Sequence, residues 1–163
     1  MSTKKETVLK ILGGVCDPEI PVLNVVEMGI VQNVDVHGES VLVEITPTYS
    51  GCPAMRMIQD DIVAALTKSG YSDVRINTVH SPAWTTAGMS EESKQKLREY
   101  GIAPPRGSTG NVVVLLPGKE EELACPFCGS LRTELRSEFG STACKSFYFC
   151  TGCRQPFEHF KDI

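Results

Sequence analysis

Two short cysteine pairs near the C-terminus constrain this chain more than any other feature. Cys125-Pro-Phe-Cys128 and Cys150-Thr-Gly-Cys153 are separated by 21 residues. A C-x-x-C turn presents two thiolates to one ion while its backbone N–H groups support the sulfurs, and two such turns complete a tetrahedral S4 site. The spacing is close to that of zinc-binding pairs. Between them, "LRTELRS" (131–137) and "KSFYF" (145–149) read as strands, so the arrangement predicts a zinc ribbon over 123–163. Some forty residues bury little core, so this tail is expected to fold around its metal, which supplies ~10–16 kcal/mol in such sites. Zinc is the expected ion; iron competes, because S4 geometry suits both. Cys144 is surplus to a saturated tetrahedron and reads either as a small buried residue or as a candidate extra ligand.

The rest of the composition describes a globular protein: 163 residues, 41% hydrophobic and 22% charged. No run approaches the ~20 apolar residues of a membrane span. The start, "MSTKKETVLKIL", lacks the apolar core and small-residue cleavage site of a secretory signal, so a cytoplasmic location is expected. In a reducing compartment, clustered cysteines point to metal rather than to disulfides. Residues 1–122 carry 11 Lys and Arg against 16 Asp and Glu, and residues 123–163 carry 5 against 4. Neither part offers the basic stripe of a nucleic-acid surface.

Along the chain, residues 3–15 predict a helix, with capping-box spacing of Thr3 and Glu6 and apolar residues at Val8, Ile11, Leu12 and Val15. "CDPEIPVLNV" follows, its prolines excluding regular structure. Ile30 to Val36 and Val41 to Ile45 alternate across the turn "HGES" and predict a hairpin. Pro53 to about Ser69 carries one apolar stripe and predicts a second helix, stopped at Gly70. Asp73 to Val79 reads as a strand, and Ser90 caps a third helix that ends at Gly101. "GIAPPRGSTG" is linker-like, and "NVVVLLP" (111–117) is an apolar strand-like run. The order predicts an α+β fold, a small two-layer α/β sandwich over 1–103, then a linker and apolar strand over 104–122, then the zinc ribbon over 123–163.

Within the first part, "YSGCPAM" (49–55) places a lone cysteine where a helix begins. With Cys52 at the N-cap, Pro53 takes the first helical position, where its missing N–H costs nothing. Gly51 permits the sharp entry. The positive end of the helix would then face the sulfur and favour the thiolate, which is the form that binds metal or attacks carbon. Upstream, Asp17 and Glu19 lie beside Cys16 in the proline-stiffened loop. Their carboxylates could hold iron together with a thiolate; alternatively Asp17 caps a local turn and Glu19 is solvated. Of the three histidines, His80 is the one plausible partner for Cys–His catalysis, since His37 falls in the hairpin turn and His159 in the ribbon. Trp84 reads as a core plug or a contact surface.

"DPEIPVLNVVEMGIV" (17–31) resembles the signature of the domain shared by SufT and the eukaryotic cytosolic iron–sulfur assembly targeting factor. With "TPTYSGCPA" (46–54), "SPAWTT" (81–86), "REYGIAPP" (98–105) and "EFGSTACKSFYFC" (138–150), the chain resembles the PaaD (PaaJ) family over about residues 8–161. That resemblance implies an accessory role in phenylacetate catabolism, not that of the oxygenase itself. Its partners would be the phenylacetyl-CoA oxygenase subunits, the iron–sulfur flavin reductase that feeds them, or both, and its task maturation or repair of their metal centres. It implies iron or cluster handling at Cys52, Asp17 and Glu19, with zinc on Cys125, Cys128, Cys150 and Cys153 and transient iron or an iron–sulfur cluster as cargo. The carboxylates would reach Cys52 across a homodimer interface. The competing expectations are a structural adaptor subunit of the oxygenase and a thiol enzyme using Cys52 as nucleophile.

Overall fold

A computed structural model describes residues 4–106 and 123–163; the apolar run 111–117 and most of the expected linker lie outside the described residues. The chain forms two compact units, Met1–Ser93 and Lys94–Ile163.

In the first unit α1 (Lys4–Leu12) buries Val8 and Leu12, then breaks at Gly13 and Gly14. The hairpin forms as its alternation requires. β1 (Val31–His37) pairs antiparallel with β2 (Ser40–Ile45), and His37 stands opposite Ser40. The two-residue connection puts Gly38 at φ 65°, where a hairpin turn asks for glycine. β2 buries Val41, Val43 and Ile45 on one face. α2 (Ala54–Lys68) buries Ile58, Ile62 and Leu66 in a helical stripe. It serves as the crossover to β3 (Asp73–Thr78), which pairs parallel with β2 and completes the sheet order β1-β2-β3. α1 packs on α2 and β1, and α2 packs on β3. The result is the two-layer sandwich, with a sheet that is mixed rather than purely antiparallel. A parallel neighbour needs such a helical crossover, and α2 is one.

α3 (Glu91–Tyr100) starts at Ser90, whose hydroxyl oxygen accepts the N–H of Ser93 at 3.1 Å. It spans the division between the units and stops at Gly101, which has φ 89°. Next comes β4 (Ile102–Ala103), read from sequence as the end of the first domain. It pairs parallel with the last strand of the ribbon. The ribbon sheet runs β4-β7-β6-β5, with β5 (Thr133–Ser137), β6 (Lys145–Cys150) and β7 (Gln155–Phe160) antiparallel in turn. Ala103, Leu123, Cys125, Cys150 and Phe157 form its small core, flanked by Tyr148 and Cys153.

Candidate metal centre and motif loops

The two knuckles are built alike. The residue after the second cysteine of each takes a left-handed conformation, Gly129 at φ 70° and Arg154 at φ 60°. Within each, the sulfur of the first cysteine receives backbone N–H groups from two and three residues on: Phe127 and Cys128 at Cys125, Gly152 and Cys153 at Cys150. The knuckles are tied together by Arg132, whose carbonyl accepts both the N–H (2.9 Å) and the hydroxyl (3.1 Å) of Thr151. A side chain at Gly152 would crowd Ser130: a Cβ there would lie 2.9 Å from Ser130 Oγ and 3.1 Å from Ser130 Cβ, and would touch Cys150 Sγ at 3.4 Å.

These constraints bring the four sulfurs within 4.8 Å of one another. Across the knuckles, Cys125 and Cys153 are 3.7 Å apart and Cys128 and Cys150 3.6 Å. Four sulfurs bound to one zinc at ~2.3 Å define a tetrahedron with edges of about 3.8 Å, which both cross-knuckle distances match, so the donor set fits the ion. Cys125 and Cys150 are buried and Cys128 is exposed. Burial pushes the Cys153 thiol up to about 12 and raises that of Cys125. The backbone N–H of Cys153 is the main influence drawing Cys150 down to about 7.

Cys144 does not join this cluster. It is buried, its sulfur lies 3.0 Å from Thr142 Oγ1, and its carbonyl accepts the N–H of Lys161. The adjacent Lys145 is also buried, its ammonium 3.0 Å from Glu158. His159 is buried against Ser146 and Tyr148, and burial takes it down to about 4.

In the first unit the motif loops are held by their own polar side chains. Asp17 is buried, and its Oδ1 accepts the N–H groups of Glu19 (2.7 Å) and Ile20 (3.0 Å). The structure therefore gives Asp17 the turn-capping role. Asn24 and Glu27 form a reciprocal box: Asn24 Oδ1 accepts the N–H groups of Val26 and Glu27, while Glu27 Oε2 accepts that of Asn24. Trp84 Nε1 donates to the carbonyl of Met28 at 2.8 Å, clasping the "SPAWTT" loop onto the signature loop. Trp84 is thus the core plug of the sequence reading, with a fixed polar edge.

Cys52 is half-buried. Its position differs by one residue from the sequence reading: Pro53, at φ −68° and ψ −25°, is the N-cap of α2, with no side-chain cap. The reason is that the carbonyl of Cys52 accepts from Met55 in a tighter i→i+3 turn at 3.3 Å, before the regular ladder begins. Gly51 makes the entry at φ 82°. Among the described residues the four ribbon cysteines are the one group of three or more candidate ligands within mutual reach, so Asp17, Glu19 and Cys52 are not gathered into a second site within one chain. Cys16 is exposed and bridges to Asn24. His80 is exposed. The capping box and the Trp84 clasp were legible as residue types, Asn three before Glu and a tryptophan two after Pro82, but their pairing was not.

Two family models match the chain. The iron–sulfur cluster assembly protein family covers residues 5–77, and the PaaD zinc β-ribbon domain covers 109–161. The chain is 46% identical to an Escherichia coli protein named as a component of 1,2-phenylacetyl-CoA epoxidase, over 94% of this chain and 90% of that one. It is 37% identical to an Fe-S protein maturation auxiliary factor of Porphyromonas gingivalis, over 57% of this chain and 90% of that one. The crystal structure of a domain of unknown function from Bacillus anthracis aligns with a TM-score of 0.54 at 26% identity, covering 57% of this chain and 90% of the other.

Proposed function

The chain belongs to the PaaD family of phenylacetyl-CoA epoxidase components, and from that membership we propose that it is a cytoplasmic accessory protein that matures or repairs an iron or iron–sulfur centre of the epoxidase system. The observation that carries this reading is the joining, in one chain, of an iron–sulfur assembly domain and an S4 ribbon. A zinc held by Cys125, Cys128, Cys150 and Cys153 would supply structure, joining the two knuckles from which the β5–β6–β7 sheet extends. Cargo handling falls to the first unit. Cys52 is partly accessible at the entry to α2 and is the soft donor that would take iron from solution and give it up to a client. Asp17 and Glu19 would add oxygen ligands from a second copy of the chain, since they do not cluster with Cys52 within one. The ribbon would hold the client, either the oxygenase or its iron–sulfur reductase.

The turn-capping use of Asp17 favours one alternative, an adaptor that joins oxygenase components without touching their metals. Cys52→Ser separates the two. If the maturation reading holds, the variant keeps its zinc and its secondary structure, still binds the client, and fails to activate it. Full oxygenase activation by the variant would leave the adaptor reading in its place.

A further inference from the structure

The clasp between the signature loop and the "SPAWTT" loop leaves a recess of about 320 Å³ beside it. Its buried lining includes Trp84, Met28 and Met89, which are 7%, 4% and 8% exposed. Its rim includes Val26 and Gly88, both exposed. Trp84 has committed its N–H to the carbonyl of Met28, so what it adds to the lining is ring carbon. Beside the polar side chains of Glu27, Gln32 and Thr85, two thioethers and an indole give the recess an apolar part suited to an aromatic ring, through sulfur–aromatic and offset ring contacts. An apolar cavity of ~150 Å³ holds benzene; this one holds a ring with its stem and the start of a backbone.

Charge narrows the occupant further. Glu27 is the one ionisable residue in the lining. The surrounding unit, residues 1–93, carries 6 Lys and Arg against 12 Asp and Glu, a net of −6. A recess in such a field repels acidic ligands and draws basic ones.

We infer that this recess is a docking socket for a partner protein, taking one aromatic side chain carried on a basic segment. The inference does not rest on metal handling at Cys52, and it places a partner contact in the first unit as well as in the ribbon.

Trp84 is the only tryptophan of the chain, so its emission, excited selectively, reports occupancy. The probes are the capped dipeptide amides acetyl-Arg-Phe, acetyl-Asp-Phe and acetyl-Arg-Gly, titrated into the zinc-loaded full chain at low salt. Acetyl-Arg-Phe is expected to shift the emission saturably, with acetyl-Asp-Phe at least about tenfold weaker and acetyl-Arg-Gly without saturable effect. Gly88→Leu adds a side chain whose Cβ has no atom within 4 Å. It should fold normally, plug the socket and weaken acetyl-Arg-Phe at least about tenfold. Methyl NMR of Met28 and Met89 gives the same binding curve independently of the indole. Equal affinity for the Arg and Asp probes, a merely linear response, or unchanged binding in a folded Gly88→Leu variant would each overturn the inference.

Discussion

Glu158→Gln should damage the ribbon more than Lys145→Met, although both break the same ion pair. The Lys145 side chain is 4% exposed and that of Glu158 23%, with 3.0 Å between them. Glu158 also accepts the N–H of Ser141 at 2.5 Å. Burial alone would raise its carboxyl, but the Ser141 N–H and the Lys145 ammonium outweigh burial and hold it below the ordinary carboxylate value. Lys145→Met leaves an anion that keeps a backbone donor and some water, a loss of ~1–3 kcal/mol. Glu158→Gln leaves an ammonium sealed from water beside a neutral amide, a loss of ~3–5 kcal/mol. Because the chain has two compact units, global melting is a poor probe. Amide exchange in β6 and β7 of the zinc-loaded chain reads the ribbon alone. At ~1.4 kcal/mol per decade, protection should fall by roughly one to two decades in Lys145→Met and roughly two to three and a half in Glu158→Gln. Lys145→Met combined with Glu158→Leu should recover most of the loss. The stability given by a depressed carboxyl is present above its unfolded value and lost as pH falls through the folded one, so wild type and Glu158→Gln should converge in acid. A larger effect from Lys145→Met, or unchanged β6 and β7 exchange in both, would refute the reasoning.

Three further outcomes follow from the same geometry. Gly152→Ala should lower zinc affinity in a competition titration with a chromophoric chelator, because its Cβ meets Ser130 and Cys150; Ser130→Ala should restore only part, since Ser130 Cβ itself would lie 3.1 Å away. At pH 8 the thiols of Cys125 and Cys153 still hold their protons, so zinc binding should release at least two protons per ion, measured as a buffer-dependent calorimetric enthalpy, and affinity should fall as pH falls. Asp17→Asn keeps an oxygen for the Glu19 and Ile20 N–H groups and should leave amide-exchange protection in the first unit near wild type, whereas Asp17→Ala should lower it by ~1–2 kcal/mol; equal protection in the two would remove the turn-capping role.

Much of this was legible in the residues because local rules decide it. Alternation fixed the hairpin, helical spacing fixed the buried stripe of α2, and the cysteine pairs with their intervening strands specified the S4 site. Where pairing is long-range, the residues were silent. Ile102 and Ala103 are too few to show a period, and the prolines after them look like linker, so their place beside β7 was hidden. Pro156 masked β7 itself: proline removes a ladder donor, and its position is tolerated because β4 pairs only with Glu158 and His159. The parallel placement of β3 beside β2 leaves no local mark. At the site, Cys144 reads as a buried residue with an extra ligand as the alternative, because spacing cannot say which side of a strand end faces the knuckles. Asp17 reads first as a turn cap, with iron the alternative, and the two N–H distances show the cap.

The most direct measurement is anaerobic iron–sulfur reconstitution of the zinc-loaded chain and of its Cys52→Ser variant, followed by visible absorbance and by iron, sulfide and zinc counts. Labile iron bound by the wild type and lost in the variant, with one zinc per chain in both, is the predicted result. Equal iron in the two proteins, or none in either, would contradict a metal-handling role for Cys52.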